Sequence, residues 1–251
     1  MSKSRRLVRA ANSFVSLLVI LALLTSGTYG AYALWDNQQI YQEARDVQMQ
    51  MQALKPDLDS SEEEAPSFAQ LLEINPDVCG WITMDGTQID FPVVQGETNL
   101  TYINTDVYGE FALAGSIFLD CRNSGDFSDA YNLLYGHHME NSNMFGDLEL
   151  YEEETFFREN TTGVLMTTSR IYDLQVVACL VVKASDEVVF AVTENSEDPG
   201  KMVEYVQENA LYLGEGLQDD SDAQQFLTLS TCSSDFADAR TNVVTRMIPR
   251  T

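Results

Sequence analysis

The 251-residue chain sets 39 Asp and Glu against 14 Lys and Arg, a formal net charge of −25. So acidic a chain has no basic stripe with which to displace counterions from phosphates, which excludes nucleic-acid binding and disfavours other polyanionic partners. Hydrophobic residues at 45% and aromatics at 10% are ordinary for a chain that buries a core, so wholesale disorder is excluded as well.

The first element is an N-terminal helix. Lys3, Arg5, Arg6 and Arg9 precede a run from 10 to 35 that contains no charged residue. At about 1.5 Å per residue such a helix exceeds the roughly 30 Å hydrocarbon core of a bilayer. The basic flank on the N-terminal side puts residues 1–9 in the cytoplasm and the bulk of the chain outside. A cleaved signal peptide is the rival reading, because the most apolar stretch, 14–24, has signal-peptide length and Ala31-Tyr32-Ala33 supplies a small-x-small pattern. Tyr29, Tyr32 and Trp35, suited to an interfacial belt, favour a retained anchor over 10–35. With the four basic residues of the flank set aside, the remainder holds ten against 39 acids, a net of −29.

Residues 36–65 read as an acidic helical stalk: Gln, Ala, Glu and Met favour helix, and Pro56 leads into the acidic run 57–64, a solvated spacer. The exported domain then occupies 66–251. Ser67 with Gln70 makes a capping-box pattern, followed by Phe68, Leu71 and Leu72 on the apolar face of a short helix. Short apolar or alternating runs predict strands over 81–84, 89–94, 116–119, 131–135, 163–168, 172–183, 188–192, 226–231 and 241–248. Helical spacing appears over 148–157 and in 200–213, where Met202, Val203, Val206 and Ala210 recur. Many short strands with a few inserted helices and no βαβ rhythm predict a closed or nearly closed β-barrel.

Cys79, Cys121, Cys179 and Cys232 share no CxxC spacing, and His137 and His138 are the only histidines, so neither a structural metal nor a cofactor is implied. Cys79 and Cys179 sit in apolar runs and read as buried small hydrophobes; nothing local supports a Cys79–Cys121 bridge. Any imidazole chemistry must use the His137-His138 pair at the end of a predicted strand. In Thr228-Leu229-Ser230-Thr231-Cys232, Leu227 and Leu229 take the core face while Thr228, Ser230 and Cys232 share the more polar one, where a thiol can be reactive. An antiparallel return after 233–239 brings Arg240 beside Cys232 and carries Arg246 about 20 Å away. A thiol, an imidazole and a guanidinium are the parts of an acyl-transfer site: nucleophile, proton donor to the leaving amine, and oxyanion stabiliser or substrate holder.

The chain resembles the sortases, and more closely the class B sortases, over 72–248. The resemblance is carried by Asn75-Pro76-Asp77, Gly80-Trp81-Ile82, Gly86-Thr87, Ile89-Asp90, Pro92-Val93-Val94-Gln95 and 114–120 (AGSIFLD). It is completed by Tyr135-Gly136-His137, Met144-Phe145, the TLSTC run ending at Cys232 and Asp238-Ala239-Arg240. The resemblance implies a mainly β fold with inserted helices, a closed barrel of about eight strands behind a membrane helix and stalk. It implies a membrane-anchored cysteine transpeptidase, of thiol-peptidase type, on a Gram-positive surface. Such an enzyme cleaves a C-terminal sorting signal, of Asn-Pro-x-Thr or Leu-Pro-x-Thr kind, forms a thioacyl enzyme, and passes the surface protein to an amine of a peptidoglycan precursor or a pilin lysine. By the same likeness Cys232, His137 and Arg240 are catalytic, with His138 the neighbouring alternative to His137. The likeness also implies that Ser230, Thr231, Asn99 and Ile103 contact the sorting peptide. The 183–187 segment does not align residue by residue, which leaves the preferred pentapeptide open, and no motif carries over the calcium site of class A. Two other classes use the same residues differently: an exported papain-like cysteine hydrolase, and a non-catalytic, stalked acidic surface protein whose cysteine is structural.

Overall fold

A computed structural model describes residues 3–57, 68–139, 142–217, 224–232 and 239–250, with Cys232 described by its backbone. The expected cap at Ser67, the acidic run 58–64 and most of the 233–239 connection lie outside the described residues. The chain divides into two units, Met1–Gln42 and Glu43–Thr251.

The first unit lies within helix α1 (Lys3–Gln52), which contains the one segment among the described residues long and apolar enough to cross a membrane. Its apolar side chains, among them Phe14, Leu17, Ile20 and Leu24, are exposed. Two polar residues of the run satisfy their hydroxyls within the helix: Thr25 and Thr28 donate back to the Leu21 and Leu24 carbonyls.

In the second unit the elements run α2 (Ala69–Ile74), β1 (Val78–Met84), β2 (Asp90–Val94), β3 (Ile117–Leu119), β4 (Tyr131–Met139) and β5 (Asn143–Met144). A 3-10 helix (Gly146–Glu152), α3 (Glu154–Glu159), β6 (Thr162–Thr167), β7 (Ile171–Lys183), α4 (Val192–Glu197) and α5 (Gly200–Asn209) follow. The last three are β8 (Tyr212–Leu213), β9 (Gln225–Cys232) and β10 (Ala239–Pro249). Eight strands close a ring in the order β10, β9, β4, β3, β2, β1, β6, β7, with β7 pairing back onto β10; β5 and β8 are additions to β4 and β7. Within the ring β2–β3 and β4–β9 are parallel, and the other pairs are antiparallel. Closure leaves the ring no free edge to template aggregation.

Strand alternation sorts the residues into layers. Ile82, Leu134, Leu165, Leu227, Leu229 and Val243 fill the barrel. On the outer side of β4, β7, β9 and β10, Tyr131, Leu133, Leu180, Phe226 and Val244 make a second layer, covered by Val189, Val192, Met202 and Val206. Met202 and Val206, four apart on α5, bury the helix's apolar stripe at about 1.5–3 kcal/mol each. This cover corrects two expectations. The 188–192 run is no strand: the Asp186 carboxylate accepts the Val188 and Val189 amides, the Tyr131 hydroxyl donates to the Val189 carbonyl, and the chain turns into α4. The polar face of β9 is no surface either, for Thr228 and Ser230 are fully buried beneath that cover.

A third layer involves residues read from the sequence as stalk. Met51 is buried with Phe68, Leu71 and Trp81. The Lys55 ammonium donates to Asp90 at 2.7 Å, and the same carboxylate oxygen accepts the Trp81 indole N–H at 2.7 Å. Residues 43–57 therefore belong to the barrel unit, because their apolar and charged groups find partners there.

Candidate active site

Three neighbouring strands bring the reactive residue types to one end of the barrel. β4 and β9 run parallel in a register that sets Tyr135 against Ser230, Gly136 against Thr231 and His137 against Cys232. On the far side of β9, antiparallel β10 pairs Asn242 with Ser230, so continuing that register by two residues sets Arg240 opposite Cys232. Adjacent strands lie about 4.8 Å apart. Residues separated by 95 positions in sequence, His137 and Cys232, are thus neighbours in the sheet, and Arg246 lies at the other end, opposite Phe226.

The His137 ring is held from the side. Its Nε2 lies 2.6 Å from the Ile103 carbonyl oxygen, in the loop between β2 and β3. A carbonyl only accepts, so Nε2 carries the hydrogen and Nδ1 is the nitrogen free to exchange a proton. His138 occupies the opposite face of β4, pairs with Met144 of β5 and bonds Glu149 Oε1 at 3.0 Å. Gly136 places the strand tightly: a Cβ there would lie 2.4 Å from Ile117 Cδ1 and 2.8 Å from Phe145 Cδ2, both on buried side chains. Gly136→Ala is expected to destabilise the fold by about 1–3 kcal/mol through overpacking. It should also lower turnover by about 10²-fold, the scale of an ångström's misplacement at a reacting group. Denaturant midpoints and kcat measured together check this, and unchanged kcat in the folded variant would refute it.

Arg240 is half-buried, and its Nη1 donates to the Thr231 carbonyl at 3.2 Å. The strand beneath it is pinned on both sides, by the Thr241 amide donating to Thr231 Oγ1 at 3.1 Å and by Asn242 Nδ2 donating to the Arg240 carbonyl at 2.8 Å. The 3-10 helix closes this end, where Glu152 Oε1 accepts the Thr241 hydroxyl at 2.7 Å. Thr231 is 4% exposed and Ser230 fully buried, its hydroxyl without a partner among the described residues.

Asn99 is engaged within the protein. Its Nδ2 donates to Asp120 Oδ2 and its Oδ1 accepts the Cys121 amide, each at 2.8 Å, which ties the start of the β2–β3 loop to the end of β3. Asp120, a residue the sequence reading did not single out, is the hub: it also accepts two bonds from the Arg122 guanidinium and the Tyr135 hydroxyl at 3.1 Å. Its burial disfavours the charged form, but hydrogen bonds from the Arg122 side chain and amide and from Asn99 outweigh this and hold the carboxyl below its ordinary range. Its signals in the sequence were its place at the end of the 114–120 run and an arginine two residues on in a turn. Because the folded state has the lower pKa, the stabilisation is complete above the unfolded carboxylate value near about 4 and is lost as pH falls through the folded one. Asp120→Ala should cost about 3 kcal/mol at neutral pH, the low end for breaking a buried pair because Arg122 is partly exposed. Urea midpoints should show the gap between wild type and variant narrowing in acid; a gap constant with pH would contradict the assignment.

The four cysteines are not equivalent. Cys79 and Cys179 lie in the core, and burial pushes each thiol up to about 12, unreactive at neutral pH. Cys121 is exposed and unbridged, but β3 is antiparallel to β4, with Leu119 opposite Leu134, so Cys121 lies toward Asn132 and away from His137. Cys232 is the cysteine in register with the imidazole. Among the described residues no group of three or more His, Cys, Asp or Glu is placed to hold a metal ion.

No family model matches the chain. Sortase B of Staphylococcus aureus is 30% identical over 179 residues, covering 71% of this chain and 72% of the relative. Sortase B of Listeria monocytogenes is 30% identical over 167 residues, 66% of either chain. Among solved structures, sortase B of Bacillus anthracis aligns with a TM-score of 0.72 at 32% identity, over 84% of this chain and 99% of its own. A Streptococcus pyogenes class B sortase involved in pilus biogenesis aligns at 0.66 and 34%, over 72% and 97%. The eight-stranded ring, the neighbouring His137 and Cys232 strand ends and these likenesses lead to one conclusion: the chain belongs to the class B sortases, a family of cysteine transpeptidases.

Proposed function

We propose that this sortase cleaves a C-terminal sorting signal with Cys232 as nucleophile, His137 as proton carrier and Arg240 as oxyanion stabiliser, and transfers the acyl group to an amine. The register that sets His137 against Cys232 on adjacent parallel strands carries the reading. The thiolate adds to the carbonyl carbon of the residue before the scissile bond, the Thr of an Asn-Pro-x-Thr or Leu-Pro-x-Thr motif. The Arg240 guanidinium stabilises the oxyanion that forms. Collapse breaks the C–N bond as the His137 imidazolium gives its Nδ1 proton to the leaving amine, and a thioester remains on Cys232. An acceptor amine then attacks the thioester, loses its proton to His137, and expels the thiolate. Asn99 and Ile103 line the approach through the loop they anchor, whereas Ser230 and Thr231, read from the sequence as peptide contacts, are buried and support the strand end that carries Cys232.

The acceptor is a peptidoglycan-precursor amine or a pilin lysine; the likeness to a class B sortase of pilus biogenesis supports keeping the second. Residues 10–35 act as the membrane anchor with the basic flank 1–9 in the cytoplasm, residues 36–42 as the linker before the barrel unit begins at Glu43, and the barrel domain is extracellular, as the basic residues before the uncharged run support. The test incubates the full-length protein in detergent with Asn-Pro-x-Thr and Leu-Pro-x-Thr peptides and either triglycine or diaminopimelate. A ligated product is expected. Hydrolysis alone under saturating amine would instead indicate the papain-like hydrolase, and neither product together with a Cys232 inert to a methanethiosulfonate would indicate the non-catalytic surface protein.

A further inference from the structure

The His137 ring is oriented by a backbone carbonyl, and a backbone carbonyl has no side chain to fix its own direction. The Ile103 oxygen that meets Nε2 at 2.6 Å stands in the long β2–β3 connection, so something must hold that peptide unit in place. The two residues that lead into β3 do so at three points. Gly115 has φ +59, in the left-handed region that favours glycine, and lies directly beneath the segment. A Cβ on it would come within 2.5 Å of the Ile103 oxygen and 2.7 Å of the Tyr102 oxygen. Ser116 then ties the carbonyls on either side: its amide donates to Tyr102 at 3.1 Å and its hydroxyl to Thr105 at 2.8 Å. With the carbonyls of 102 and 105 fixed and no Cβ below, the carbonyl of 103 is left pointing at the ring. The next residue, Ile117, packs its Cδ1 over Gly136, so the same strand start bears on the backbone of His137 as well.

We propose that Gly115 and Ser116 are positioning residues for His137, acting through the Ile103 carbonyl to fix the Nε2–H tautomer and leave Nδ1 for proton transfer. The catalytic meaning of this rests on the transpeptidase function proposed above. The ring tautomer itself does not.

The experiment uses full-length protein in detergent micelles with histidine ring nitrogens labelled with 15N. There are two histidines in the chain, so His138→Gln assigns both signals. The variants are Gly115→Ala, which pushes the carbonyl, and Ser116→Ala, which releases a tie without adding bulk. The control is Gly109→Ala in the same loop: its φ is +83 but a Cβ there meets nothing within 4 Å, so it strains the backbone without touching the clamp. In wild type and in Gly109→Ala, the neutral His137 ring should be in the Nε2–H form. In Gly115→Ala and Ser116→Ala it should become a mixture with the Nδ1–H form. With an Asn-Pro-x-Thr peptide and triglycine, kcat should fall by about tenfold or more in those two variants while KM stays within about threefold.

Should Gly115→Ala fail to fold, Ser116→Ala decides alone. A His137 ring that keeps the Nε2–H form in the folded variants overturns the proposal, as does an unchanged kcat beside a shifted tautomer, or a Gly109→Ala that reproduces both effects. If Cys232→Ala still ligates peptide, the transpeptidase reading fails instead, and the tautomer measurement still decides whether Gly115 and Ser116 orient the ring.

Discussion

Alanine at Cys232 is expected to abolish the thioacyl enzyme, and alanine at His137 to lower kcat/KM by about 10³-fold, within the range for losing a general acid and base. The two losses should not add. In the proposed mechanism a thiol without its imidazole and an imidazole without its thiol are each half of one proton-coupled unit, so the double variant should be no slower than the slower single one. His138→Ala should retain most activity, because His138 takes the other face of β4 and bonds Glu149. Mass spectrometry of the trapped intermediate and steady-state ligation rates check all four proteins. Full activity in His137→Ala, or a severe loss confined to His138→Ala, would move the imidazole role one residue along the strand. It would then contradict the register that sets His137 against Cys232.

Much of this site was legible in the sequence because its residue types are scarce. Both histidines fall in one dipeptide, and two of the four cysteines sit in apolar runs, which left little choice of candidate nucleophile and candidate base. Alternation along 227–231 correctly assigned Leu227 and Leu229 to the core. It could not show that the opposite face is also covered, since burial of Thr228 and Ser230 depends on Val189, Val192, Met202 and Val206, which come from another part of the chain. The orientation of the imidazole was hidden for a different reason. Its partner is a main-chain oxygen of Ile103, which every residue type would supply, and the family resemblance pointed only to a peptide contact at that position.

The fold shows the same division between local and non-local information. Strand existence was read well wherever apolar alternation was sustained, as over 172–183, observed as Ile171–Lys183. The two parallel pairings, β2–β3 and β4–β9, leave no local signature because their partners are joined by long connections rather than hairpin turns. The β4 strand was expected to stop at Tyr135 but continues to Met139, its end paired with β9 on one side and β5 on the other. That extension is what carries His137 on a strand rather than on a free loop, and so makes its register with Cys232 a property of the sheet.

Arg240→Ala is expected to lower turnover by about 10²- to 10³-fold, the scale for removing one stabiliser of a developing oxyanion. The size follows from placement. Arg240 stands across β9 from His137, with its carbonyl held by Asn242 Nδ2, the next amide, of Thr241, bonded to Thr231 Oγ1, and its Nη1 resting on the Thr231 carbonyl, one residue before Cys232. A guanidinium held there costs little reorganisation when negative charge appears on the substrate carbonyl, whereas a lysine would offer one flexible ammonium in place of a rigid fork. Arg240→Lys should therefore recover only part of the loss. The division between kcat and KM tells the two uses of the guanidinium apart: a stabiliser of the oxyanion lowers kcat with KM nearly unchanged, while a holder of the sorting peptide raises KM. Arg246→Ala is the matched control, since it removes the same charge from the same strand at the opposite end, opposite Phe226, and should leave ligation within about threefold of wild type. If Arg240→Ala stays within that same threefold, the oxyanion has another donor, and the first place to look is the backbone amides around Cys232.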